Sequence, residues 1–113
     1  YMTSIVSARP VAEGFAVFLP CFWVYMHVGK CMLALRNKLG NSVHRPPQYD
    51  AWIDMYGGDE FERDVNEFIA LVDGVAEGAG SETLKRMEEH FMMSCRLEYL
   101  FWDQAQCLMQ WSI

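Results

Sequence analysis

Two side chains in this sequence, Cys21 and Glu98, could share covalent chemistry. A thiol and a carboxyl make the nucleophile and proton carrier of a hydrolytic or group-transfer site. At about 100° per residue, Leu84, Met87, Phe91, Cys95, Glu98, Trp102, Ala105 and Met109 gather on one side of a helix. Lys85, Arg86, Glu89, Arg96, Asp103 and Gln104 take the other side. Glu98 is therefore a carboxylate in the middle of an apolar stripe. Buried alone it is costly. It either pairs with a buried Arg, Lys or Tyr, or serves as a general acid poised by desolvation.

Cys21 shares a helix face with Val17, Tyr25, Val28, Met32 and Leu35, and Tyr25 follows one turn on. A cysteine is equally a small hydrophobe, and Cys31, Cys95 and Cys107 are read that way. Tyr56, after Trp52, and Phe101, beside Trp102, are flat groups that stack on a ring or simply anchor packing. The histidines carry little. His27 falls near Lys30 on the side away from Cys21, His44 sits in a loop, and His90 lies on the polar flank of the last helix. There is no Cys-x-x-Cys pair, no histidine at zinc-finger spacing and no Glu-x-x-His pair, so no metal site is expected. Gly57-Gly58 and Gly78-Ala79-Gly80 lack the strand context and lysine of a phosphate loop.

The elements that must position these groups are helices. No stretch alternates in strand fashion for long, and the breakers are clustered. Residues 1–8 read as the tail of an earlier helix. Pro10 suits a first turn, and a long helix follows from Val11 to Leu39, stopped by Gly40-Asn41. Pro20 removes a backbone donor within it and predicts a kink. A loop holds Pro46-Pro47, and a short helix spans Gln48 to Tyr56. Asp59 is placed as the N-cap of a helix to about Glu77, and Ser81 as the cap of a final helix running to Ile113. On the 59–77 helix, Phe61, Val65, Phe68, Ile69 and Val72 face inward. Glu60, Arg63, Asp64 and Glu67 make a solvated face. Two helices of roughly 45 Å at 1.5 Å per residue are long for one small domain, and fit half of a larger bundle.

Composition narrows the classes further. The chain has 113 residues, 52% hydrophobic and 14% aromatic, which excludes disorder and leaves room for one domain or part of one. Nine basic against fifteen acidic residues give a net charge of −6, which argues against a general nucleic-acid binder. The longest charge-free run, Gly14 to Gly29, is interrupted by Pro20 and falls short of the roughly twenty residues of a membrane span, so no membrane is expected. Cysteines inside helical apolar runs fit a reduced, cytoplasmic protein. No signal peptide is recognised. A start at Tyr1 rather than Met reads as a piece of something longer.

In order along the chain, Leu19-Pro20-Cys21-Phe22-Trp23-Val24-Tyr25, Gly29-Lys30, Trp52-Ile53-Asp54-Met55-Tyr56, Asp59-Glu60-Phe61 and Ser94 to Asp103 resemble the thiaminase II (TenA-like) family. The resemblance covers about residues 14–111. It implies an all-α, haem-oxygenase-like helical bundle, of which residues 1–113 would be the C-terminal part of a single domain, commonly assembled as a tetramer. It implies a thiamine-salvage hydrolase that converts 4-amino-5-aminomethyl-2-methylpyrimidine to hydroxymethylpyrimidine and ammonia, some members also cleaving thiamine. On that resemblance Cys21 is the nucleophile and Glu98 the acid/base. Tyr25 and Tyr56 orient the pyrimidine, and Phe101 is a pocket wall. No metal or organic cofactor is required. The family's upstream acidic residue, which holds the ring, would belong to the N-terminal half. The competing expectation is a non-catalytic helical binding or assembly module of the same fold. A haem-handling relative would need a histidine facing the cavity.

Overall fold

The computed structural model describes residues 1–108, and every described element is helical. The order is α1 (Met2–Ala8), α2 (Val11–Leu39), a 3-10 turn (Gly40–Ser42), α3 (Pro47–Gly57), α4 (Asp59–Glu77) and α5 (Ser81–Cys107). The expected continuation to Ile113, and Met109 of the apolar stripe, lie outside the described residues.

α2 is 29 residues long and continues through Pro20. Arg36 and Lys38 in its last turn complement the helix dipole. Gly40 ends it at φ +57°, a left-handed conformation that costs glycine nothing. The stretch Val11–Ser42 is long and apolar enough, by length and composition, to cross a membrane, and 33% of its most apolar window is buried. Counting only charge-free residues stops at Lys30 and so missed that length.

The helix starts differ from expectation at three places. α3 opens at Pro47, one residue early, because a first-turn proline gives up an N–H that has no helical acceptor anyway. Asp59 is the first helical residue of α4 rather than its cap, and the ladder begins with Glu62 N–H donating to the Gly58 carbonyl at 3.2 Å. Ser81 likewise follows the cap, which is Gly80, whose carbonyl accepts from Leu84 N–H at 2.9 Å. Asp59, Glu60 and Glu62 still sit where acidic groups favour a helix start.

The chain forms two compact units. The first comprises Tyr1–Cys21 and the described residues from Val72 onward. Its core holds Ala16, Val17, Leu19, Val72 and Met87, together with two buried polar residues, Glu13 and Ser94. The second comprises Phe22–Leu71, centred on Ile53 and Val65. There α2 and α3 meet backbone to backbone. A Cβ on Gly29 would collide with the Tyr56 carbonyl and stand 2.7 Å from Gly57 N, and one on Gly57 would stand 2.8 Å from Gly29 O. Arg36 of α2 pairs with Asp50 and Asp54 of α3, and Lys30 pairs with Glu62 of α4 at 2.8 Å. On α4, Val65 is buried while Glu60, Arg63, Asp64 and Glu67 are exposed, as the amphipathic pattern requires.

Many large apolar side chains stay exposed, among them Phe18, Phe22, Trp23, Leu35, Leu97 and Leu100. Scattered single residues would be ordinary, but this number on two long helices leaves apolar faces that no element covers among the described residues.

Candidate active site

In the first unit, α2 and α5 carry the thiol and the carboxyl. The Cys21 thiol lies within hydrogen-bonding and charge reach of the Glu98 carboxyl. Burial pushes the Cys21 thiol pKa up, and the Glu98 charge and hydrogen bond push it further in the same direction. At neutral pH the sulfur therefore rests as a thiol, and its reactive thiolate needs a neighbour to take the proton. Glu98 Oε2 is buried with no hydrogen-bond partner. One turn earlier Ser94, fully buried, presents an Oγ that is also unpartnered. Unsatisfied polar atoms at such a place invite a ligand or water. Cys95, on the same helix as Glu98, is raised by burial first and by Glu98 second.

Ser94 was left off the stripe and carried no role in the sequence reading. On the helical wheel it falls beside Met87, so its position was visible; its type hid it. The stripe itself is narrower than expected. Leu84 and Ala105 are exposed, and the inner side runs through Met87, Phe91, Ser94, Cys95, Glu98 and Trp102. Phe101 is 50% exposed, with its ring edge-on to Trp102 at 5.7 Å.

The larger omission is Glu13. Among the described residues it is the bulkiest fully buried side chain, at 0% exposure. Arg9 Nε lies 3.1 Å and His90 Nε2 2.9 Å from its Oε1, and Arg86 Nε lies 3.3 Å from Oε2. Burial pushes its pKa up, but the hydrogen bonds from Arg9, His90 and Arg86 outweigh that and hold it below the usual carboxylate value. An ionised carboxylate only accepts, so His90 donates through Nε2–H, and its Nδ1 shares a hydrogen bond with the Tyr1 hydroxyl at 2.7 Å. The buried, paired structural glutamate that the pattern offered for Glu98 is thus found at Glu13. Arg9, four residues earlier, was the only local hint; Arg86 and His90 are more than seventy residues away in sequence.

In the second unit, Tyr25 and Tyr56 stand with ring centroids 5.3 Å apart. Trp52 lies 4.8 Å from Tyr56 and 6.3 Å from Tyr25, and Phe61 meets Tyr56 edge-on at 5.1 Å. The backbone contact at Gly29 holds Tyr56 this close to α2. A cleft of about 300 Å³ on this unit is lined by Phe22, Phe61, Asp64, Val65 and Phe68, and a shallow one on α5 by Cys95, Arg96, Tyr99 and Leu100. Neither includes Cys21 or Glu98. Among the described residues, no three His, Cys, Asp or Glu side chains are grouped to hold a metal ion.

These features define an all-helical protein of the haem-oxygenase-like fold, present over part of the domain. The chain belongs to the TENA/THI-4/PQQC family, whose model matches residues 1–108. It is 39% identical, over 99% of its length and 44% of the relative's, to an aminopyrimidine aminohydrolase of Bacillus subtilis. It is 32% identical, over 99% of its length and 48% of the relative's, to the protein of that name from Halalkalibacterium halodurans. It also matches the thiamine biosynthesis multifunctional protein ThiED of Corynebacterium efficiens, at 33% identity over 91% of the chain and 14% of that protein. The chain thus spans under half the length of the aminopyrimidine aminohydrolases it matches.

Proposed function

We propose that this chain is the C-terminal part of a single TenA-like domain that hydrolyses 4-amino-5-aminomethyl-2-methylpyrimidine to hydroxymethylpyrimidine and ammonia, in thiamine salvage. The observation that carries the reading is the reach between the Cys21 thiol and the Glu98 carboxyl in a chain related to aminopyrimidine aminohydrolases.

The chemistry follows from the state of the two groups. Cys21 rests protonated, so Glu98 takes its proton as sulfur adds to the pyrimidine ring. The same proton is then in place for the departing amine, whose C–N bond breaks as the ring's electron pair is pushed toward it. Water, deprotonated by Glu98, adds to the freed methylene carbon, and the ring expels the sulfur, which regains its proton from Glu98. Water and the aminopyrimidine are consumed, and the alcohol and ammonia are formed. Ser94 Oγ, unpartnered beside this carboxyl, is a hydrogen-bonding group for the substrate or the attacking water. Tyr25 and Tyr56 are assigned to orienting the flat ring and Phe101 to the pocket wall, on the family resemblance. Neither metal nor organic cofactor is invoked.

The partners proposed are a second, N-terminal half of the domain and further copies in a homo-oligomer. The exposed apolar faces of α2 and α5 are suited to such cover. A reduced cytoplasmic setting suits a site that depends on a free thiol, with neither nucleic acid nor membrane as partner. The test is direct: the protein is incubated with the aminopyrimidine, and ammonia and hydroxymethylpyrimidine are quantified. Equimolar formation of both supports the hydrolase. A folded protein that binds the pyrimidine and releases neither product leaves the non-catalytic module.

A further inference from the structure

Two of the polar contacts between α2 and α5 share one register. Glu13 meets His90, and eight residues further along both helices Cys21 meets Glu98. The two helices therefore run in the same direction here, and the contacts are separated by about 12 Å, or two turns, on each. Between them α2 carries the buried apolar residues Ala16, Val17 and Leu19. Apolar surfaces of this kind define burial but tolerate sliding, whereas a buried carboxylate with three fixed donors does not. A slip of one turn would strand Glu13 in a dry core without its partners on α5.

We infer that Glu13 is a positioning residue: its cluster with Arg9, Arg86 and His90 locks the register of α2 against α5 that sets the Cys21 sulfur opposite the Glu98 carboxyl. Arg86 and His90 approach Glu13 from α5 and Arg9 from the α1–α2 junction, so the anchor ties three segments at one point. The Tyr1 hydroxyl fixes the far side of the imidazole. The consequence for turnover rests on the reading of Cys21 and Glu98 given above. The register itself does not.

The register can be read through the two thiols that feel Glu98. Cys95 lies three residues from Glu98 on one helix, so its response to that carboxyl is independent of α2. Cys21 responds only across the register. In the full protein, alkylation of each cysteine is followed against pH by mass spectrometry. Glu98→Gln is expected to shift both profiles to lower pH, by about half a unit or more. In a Glu13→Ala background the same change is expected to move Cys95 as before and Cys21 by less than about 0.2 units. Glu13→Gln, which keeps an acceptor, should restore part of the Cys21 response. Persistence of the full Cys21 response in Glu13→Ala overturns the proposal, as does a Cys21 profile in the parent protein that ignores Glu98→Gln. If Glu13→Ala does not fold, Arg86→Ala, which removes one donor from α5, decides by the same comparison: a reduced Cys21 response supports the anchor, an unchanged one overturns it. Alkylation reads geometry and not turnover, so a protein that releases no ammonia overturns the hydrolase and leaves this result standing.

Discussion

The Cys21 thiol and the Glu98 carboxyl face each other from two helices of the same unit, and the carboxyl makes the thiol harder to ionise. Burial adds to the effect on Cys21 and acts on Cys95 as well. The sign for stability follows. A thiol whose folded pKa exceeds its unfolded value binds more protons when folded, so its contribution is complete below the unfolded pKa and is lost as pH rises through the folded one. Stability should therefore fall above about pH 9, where free thiols ionise. Urea denaturation at pH 8 and pH 10 checks this, and Cys21→Ala with Cys95→Ala should flatten the slope.

At Glu13 the sign is opposite. Its carboxyl pKa is lowered in the folded state, so its contribution is present above the ordinary carboxylate range and is lost as pH falls through the native value. Glu13→Ala leaves Arg9, Arg86 and His90 without their common acceptor, and breaking a buried pair from one side costs about 3 kcal/mol or more. Because Arg9 and Arg86 are partly exposed and recover water, the lower end is expected. The check is the denaturation midpoint at pH 7, and Glu13→Gln should weaken the acid limb of the stability profile.

Gly29→Ala should destabilise the second unit by about 3 kcal/mol, since the new methyl meets backbone and no flexible side chain can give way. The helices must separate, which moves Tyr56 away from Tyr25. A thermal melt measures the loss, and tyrosine fluorescence anisotropy reports the pair. Gly74→Ala, in open space on α4, is the control and should be neutral or mildly stabilising.

Ser94→Ala removes a buried hydroxyl that has no partner, so stability should stay within about 1 kcal/mol of the parent or rise. Turnover should nonetheless drop if that hydroxyl serves substrate or water. Opposite movement of the melting temperature and kcat/KM is the expected signature. Equal, large losses in both would mean that Ser94 is only packing.

How legible was this in the sequence? The bounds of α2 followed from Pro10 and from Gly40, and those of α4 from the glycines on either side, because breakers act locally. The inner face of α5 followed from helical periodicity, which also put Glu98 among apolar neighbours. Periodicity could not distinguish Glu98, with an unpartnered oxygen, from Glu13, whose partners converge from distant segments. Glu13 falls in the first turn of α2, where an acidic residue is ordinary, and His90 falls on a polar flank. A long-range hydrogen-bond cluster leaves no spacing signature. The glycine contact between α2 and α3 was equally hidden, since Gly29 inside a helix announces close approach without naming what approaches.

The most direct measurement is ammonia release from the aminopyrimidine by the parent protein, Cys21→Ala, Glu98→Gln and the double variant, with helical circular dichroism confirming each fold. If sulfur and carboxyl act as one unit, Glu98→Gln alone loses about 100-fold to 10,000-fold, Cys21→Ala abolishes turnover, and the double variant loses little beyond Cys21→Ala. Cys21→Ala retaining most of the activity, or losses that simply multiply, would contradict the account.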